Sequence, residues 1–199
     1  MTAGASVRSD VRQVILEHGQ RLIAARGFSA VGLNEVLTAA GVPKGSFYHY
    51  FGSKNAFGEA LLDHYFVDYL ADLDEALAKP GPMAGRITNY WQHWQDTQSY
   101  LDYQGKCLAV KLGAEVSDLS EAMRLALDRG TSAIIGRLER AVSVGVAEGS
   151  LAIDDSARDV ARGLYQMWLG ASVMAKIVRD TQPFETAMTT TRHVLHLSP

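Results

Sequence analysis

Apolar side chains recur at helical spacing through most of the chain. From about Ser9 to Arg26, Val11, Val14, Ile15, His18, Leu22 and Ile23 form one stripe, with Ser9 placed to cap it and Gly27 just past its end. A second short segment, LNEVLTAAG, sets Leu33, Val36, Leu37 and Ala40 on one face and stops at Gly41. Val42 and Pro43 lead into residues 42–54, VPKGSFYHYFGSK, where only Phe47 and Phe51, four apart, can serve as a buried face. Two short helices meeting across a glycine-containing turn are the signature of a helix-turn-helix. If Phe47 is fully buried, Phe47→Ala should cost about 3–5 kcal/mol.

Beyond this point the helices lengthen. Ser53 is placed to cap a segment running through NAFGEALLDHYFVDYLADLDEALAK, about 35 Å at the helical rise, until Pro80-Gly81-Pro82 breaks it. Residues 83–103 are rich in aromatics: Tyr90, Trp91, Trp94, Tyr100 and Tyr103. Gly105 and Lys106 break that helix, and Cys107 falls in the first turn of the next. A long helix is expected from about Ser120 to Glu148, ending at Gly149, and another from an Asp154-Asp155-Ser156 cap to about Arg179. A last helix carries Phe184, Met188, Thr191 and Leu195 after Pro183. The pattern predicts an all-α fold of about nine helices, divided into residues 1–54, a three-helix helix-turn-helix domain, and residues 55–199.

With 47% hydrophobic and 21% charged residues in 199, the chain can bury a substantial core. No apolar run approaches the roughly 18 residues needed to span a bilayer, and MTAGASVRSD lacks the apolar segment of a secretory signal, so a cytoplasmic location is expected. The net charge of −3 argues against nucleic acid until its distribution is considered. Residues 1–54 carry six Lys/Arg against three acids, a net +3, and the remainder thirteen against nineteen, a net −6. A polyanion contact therefore belongs at the N-terminal end. Lys44, Ser46, Tyr48, His49 and Tyr50 crowd two turns there, a set suited to phosphates and base edges. One cysteine excludes an intrachain disulfide and any all-cysteine metal site; no metal or cofactor is expected.

The run GFSAVGLNEVLTAAGVPKGSFYHYFGSKNAF resembles the DNA-binding segment of TetR-family transcriptional regulators, in which a glycine–aromatic pair ends the first helix and a KG-S/T-aromatic-Y-x-Y/H-F-x-x-K run forms the recognition helix. Gly32 departs from that pattern, since many members have a threonine there that caps the second helix. The resemblance implies that Tyr48, Tyr50 and Lys54 hold the phosphate backbone, while Lys44, Gly45, Ser46 and His49 lie near base edges. For His49 a plain surface histidine is the alternative. The resemblance also implies a fourth helix acting as a lever, a ligand-sensing domain induced by a small molecule, and a homodimer through the last two helices. Two recognition helices about one DNA turn apart suit a palindromic operator in double-stranded DNA.

Cys107 beside Lys106 at a helix start has surroundings that favour thiolate, although on the residues alone a small buried side chain is the favoured reading. QGKCLAVKLGAEVSDLSEAMR, PKGSFYHYF and WLGASVMAK (168–176) together resemble the NemR-type branch of the TetR family, repressors of electrophile-detoxifying genes that respond to reactive small molecules through a cysteine placed as Cys107 is here. Lys176, sharing a face with Tyr165, Leu169 and Ser172, either snorkels to solvent or approaches Cys107. Tyr65, Tyr90, Trp91, Trp94 and Trp168 are candidates for an apolar ligand pocket or for simple core.

Three functions follow. The first is a repressor released when an electrophile or oxidant modifies Cys107, and the second the same repressor induced by a noncovalent apolar or acidic ligand. The third, a thiol-dependent enzyme with His93 or His64 as base, finds no phosphate loop, Ser/His/Asp arrangement or metal spacing to support it, and no enzymatic activity is expected.

Overall fold

The computed structural model describes residues 3–98 and 107–197, with side chains from residue 11 onward. Among these residues there are nine α-helices and no strand: α1 (Ala3–Arg26), α2 (Leu33–Ala40), α3 (Phe47–Tyr50), α4 (Lys54–Ala78), α5 (Met83–Gln98), α6 (Leu108–Leu119), α7 (Glu121–Ala147), α8 (Ala157–Val178) and α9 (Gln182–Val194). None is long and apolar enough to cross a membrane. The expected breaks at Gly105 and Lys106, and the aromatics Tyr100 and Tyr103, lie outside the described residues.

Most ends are set by the local chemistry that the sequence displays. Gly41 takes the left-handed conformation at φ 66° and closes α2, its amide bonding Thr38 and Leu37 carbonyls. The Ser53 hydroxyl accepts from the Ala56 amide at 3.1 Å and starts α4. Ser156 accepts from the Asp159 amide at 3.1 Å and donates to the Asp159 carboxylate at 2.7 Å, a reciprocal cap on α8. Two boundaries differ from expectation. Helix α1 begins ahead of Ser9, where alanine and arginine favour helix and no proline interrupts it. The segment expected to be one short helix is instead a single 3-10 turn, Lys44–Ser46, running into the four residues of α3.

The chain divides into two compact units. The first comprises residues 1–67 and 107–130: α1 to α3, the start of α4, α6 and the start of α7. Its core includes Ile15, Leu16, Ile23, Val36, Leu37, Phe47, Leu61, Leu112 and Val116. Gly58 on α4 is part of that packing, because a Cβ there would lie 2.7 Å from the Phe28 ring and 2.3 Å from the Met123 sulfur. The second unit comprises residues 68–106 and 131–199, with the remainder of α4 and α7 joined by α5, α8 and α9 around Ile87, Trp91, Ile134, Leu138, Trp168 and Phe184. The Met83 amide donates to Glu148 and the Ala84 amide to the Ser150 hydroxyl at 3.2 Å, so residues after α7 satisfy the open start of α5.

Gly32 occupies the N-cap of α2 in extended backbone (φ −82°, ψ 146°) with no side-chain cap and open space where a Cβ would stand. Gly32→Thr is therefore expected to raise stability by about 0.5–1 kcal/mol, through a new cap and a less flexible unfolded chain. Urea unfolding of the two proteins measures the difference.

Candidate nucleic-acid interface and sensor site

A four-residue helix is far below the length that stands alone, so α3 must be held by its side chains. Phe47 and Phe51, 1% and 3% exposed, do this. Their rings lie 5.2 Å apart and close on Phe57 of α4 at 5.6 and 5.1 Å, with the Arg12 guanidinium 5.3 Å from the Phe51 ring. With that cluster turned inward, the residues between it face out. Lys44 and Gly45 in the 3-10 turn and Tyr48 and His49 on α3 are exposed, Tyr48 to 65%. Ser46, Tyr50 and Lys54 are half-buried; His49 stands edge-on to Tyr50 at 5.1 Å, and Lys54 Nζ lies 4.9 Å over the Phe28 ring. Of the seven residues expected to meet DNA, Lys44, Gly45, Tyr48 and His49 are exposed and Ser46, Tyr50 and Lys54 half-buried, beside a buried aromatic base.

Cys107 takes the N-cap of α6, one residue ahead of the first turn expected for it, and is 1% exposed within the first unit. Its carbonyl accepts from the Lys111 amide at 3.1 Å. Lys176 is half-buried in the last turn of α8 in the second unit.

Four of the five candidate pocket aromatics meet. Trp91 and Trp168 stack at 4.8 Å and 8°, Tyr90 lies 4.6 Å from Trp91, and Trp94 is 5.7 Å from it. Tyr65 belongs to the other unit, edge-on to Phe66 at 5.1 Å. The Trp94 indole donates to the Ser172 hydroxyl and the Trp168 indole to the Thr191 hydroxyl, each at 2.9 Å. The Trp91 indole nitrogen is buried with no hydrogen-bond partner among the described residues. Those residues hold no group of three potential metal ligands.

Sequence reasoning missed Lys111 and Glu115 on α6. Glu115 accepts from the backbone amides of Phe28 at 3.1 Å and Ser29 at 2.7 Å, and Lys111 Nζ donates to the Ala25 carbonyl at 3.3 Å. Burial alone would raise the Glu115 pKa, but hydrogen bonds from Ser29 and Phe28 and the charge of Lys111 together hold it below its ordinary value near 4.5. A cleft of about 340 Å³ between α1 and α4 also escaped notice; there Gln13 hydrogen-bonds His64, one of the two histidines considered as a base, at 3.0 Å.

Residues 84–191 match the family model described as tetracyclin repressor-like, C-terminal domain, and residues 15–61 match bacterial regulatory proteins, tetR family. The sequence is 40% identical over 187 residues, 94% of either chain, to the HTH-type transcriptional repressor NemR of Escherichia coli K12. It is 33% identical over 183 residues, 92% of this chain and 90% of the relative, to the HTH-type transcriptional repressor DhaR of Mycobacterium sp. strain GP1. The fold is similar to the crystal structure of E. coli NemR in its reduced form, with a TM-score of 0.88 and 42% identity over 94% of this chain and 97% of that one.

Two expectations follow. Phe47→Ala should destabilise the protein by about 3–5 kcal/mol, measured by urea unfolding. Because the Glu115 carboxylate has a lowered pKa in the folded state, its contribution is complete above the ordinary value and is lost as pH falls through the lowered one. The stability gap between the protein and Glu115→Gln should therefore shrink as unfolding is measured at pH values descending below 4.5.

Proposed function

The chain belongs to the TetR family of bacterial regulatory proteins, and on that premise we propose that it is a repressor that binds a palindromic operator as a homodimer and releases it when an electrophile or oxidant modifies Cys107. The observation that carries this reading is the place of Cys107: buried at the N-cap of α6, inside the same compact unit as the recognition surface. The positive end of a helix favours thiolate, the reactive form. An electrophile with an activated double bond would gain a carbon–sulfur bond from that thiolate and a proton from water on its neighbouring carbon. A peroxide would take two electrons from sulfur, leaving sulfenic acid and releasing water or an alcohol. Either product is larger than the thiol, and a close-packed site accommodates it only by shifting the start of α6.

In this reading Tyr48, Tyr50 and Lys54 hold phosphates, and Lys44, Gly45, Ser46 and His49 meet base edges. The proposal assigns DNA reading to residues 1–54 and sensing and dimerisation to residues 55–199. Val173, Met174, Ile177 and Val178 on α8, between 44% and 68% exposed, form an apolar strip suited to a second copy. The relationship to NemR, a repressor for which a reduced form is distinguished, agrees with this assignment.

A second reading, noncovalent induction, draws on the unpartnered Trp91 indole, a donor that a ligand carbonyl could satisfy. It is the weaker, because the indoles of Trp94 and Trp168 are already committed to Ser172 and Thr191.

Binding to a fragment of the operator, before and after treatment with N-ethylmaleimide or hydrogen peroxide, tests the proposal. Cys107→Ser should bind with near-unchanged affinity and resist release. Undiminished release of Cys107→Ser would overturn the cysteine mechanism, and release by an inducer that leaves the intact mass unchanged would favour the second reading.

A further inference from the structure

Cys107, Lys111 and Glu115 follow one another at intervals of four, so they share a face of α6 over about 12 Å. The first is the modifiable thiol of the proposed function, and the other two close on a single target. Lys111 reaches the Ala25 carbonyl in the last turn of α1, where the helix end is negative. Glu115 takes the next two unsatisfied amides, those of Phe28 and Ser29. The turn is fitted to this grip: Gly27 stands at φ 91°, and a Cβ on it would lie 2.9 Å from the Glu115 carboxylate.

The contacts continue past the turn. The buried Phe28 ring lies under Lys54 Nζ, and Lys54 opens α4 directly after the recognition segment. Three residues on, Phe57 completes the cluster that holds Phe47 and Phe51. From the N-cap of α6 to the base of α3, the path runs through hydrogen bonds to the α1–α2 turn, the Phe28–Lys54 contact, one turn of α4 and the Phe57 ring cluster, all within one compact unit.

We infer that Lys111 and Glu115 are positioning residues, a clasp through which the state of Cys107 reaches the recognition surface. The inference rests on the proposed cysteine mechanism. With the thiol unmodified, α6 is seated and the clasp fixes the turn between α1 and α2. An adduct at the buried N-cap displaces the first turn of α6, the lysine and carboxylate leave their partners, and the footing of α3 shifts. Coupling of this kind is a ratio of affinities, which separates it from a contribution to stability alone.

The experiment measures operator affinity with and without N-ethylmaleimide for the full chain and for Glu115→Ala, Lys111→Met and Lys111→Arg, with one adduct per chain verified by intact mass. In the reaction the thiolate adds to the maleimide double bond, a carbon–sulfur bond forms, and the adjacent carbon takes a proton from water. The unaltered protein should weaken by about tenfold or more on modification, within the usual range of allosteric coupling. Glu115→Ala and Lys111→Met should show a ratio near one at equal adduct, and Lys111→Arg, which keeps the donor, should restore the larger ratio. Should Glu115→Ala fail to fold, the Lys111 pair carries the same comparison. If the unaltered protein releases DNA and the variants release it equally, the clasp is wrong and the sensor stands. An adduct that forms on the unaltered protein without release would remove the sensor reading, and the clasp with it.

Discussion

A helix of four residues such as α3 cannot hold itself together, because nucleating a helix fixes several dihedral angles for each hydrogen bond gained. What holds α3 is the burial of Phe47 and Phe51 against Phe57 of α4. The arrangement puts the cost of ordering chiefly on two apolar rings, with Tyr48 set edge-on to Phe47 and Tyr50 tilted against Phe51. That division of labour explains why Tyr48 and His49 can stand in solvent while their neighbours are almost wholly buried. It also makes the outward surface only as firm as the ground beneath it, which includes Phe28, Lys54 and the turn that Glu115 grips.

The second unit solves a different problem. It buries three tryptophans, and each brings an indole donor out of water at a cost that only a hydrogen bond offsets. Ser172 and Thr191 supply the acceptors for two of them, and their own hydroxyls donate back to the carbonyls of Trp168 and Ala187. Each hydroxyl therefore joins a ring to a helix backbone, and the pairing fixes α5, α8 and α9 in register more specifically than aromatic stacking could.

How much of this was readable in the sequence follows from how local the interactions are. Ser53, Gly41 and Ser156 act within a few residues of themselves, and their roles as caps were legible. The burial of Ile15 and Ile23 on α1 and the inward turn of Phe47 and Phe51 were legible for the same reason, whereas Leu16, wholly buried, fell outside the expected stripe and Val11, Val14, His18 and Leu22 within it are only half-buried. The break between the 3-10 turn and α3 was not, because the same spacing suits one continuous short helix. Lys111 and Glu115 looked like ordinary surface charges; their partners lie 86 and 87 positions away, and no spacing rule spans that distance. Ser172 and Thr191 were similarly silent, and Tyr65 could be grouped with the tryptophans by residue type alone, although it is built into the other unit.

A thiol at 1% exposure meets reagents in solution chiefly when the protein around it opens. Its reaction rate would then be the intrinsic rate of the thiolate multiplied by the fraction of time the start of α6 is open, a local equilibrium distinct from global unfolding. Such a site has a threshold written into its packing. On the proposed cysteine mechanism a larger reagent would require a larger opening, and substitutions in the surrounding core would retune the response without touching sulfur.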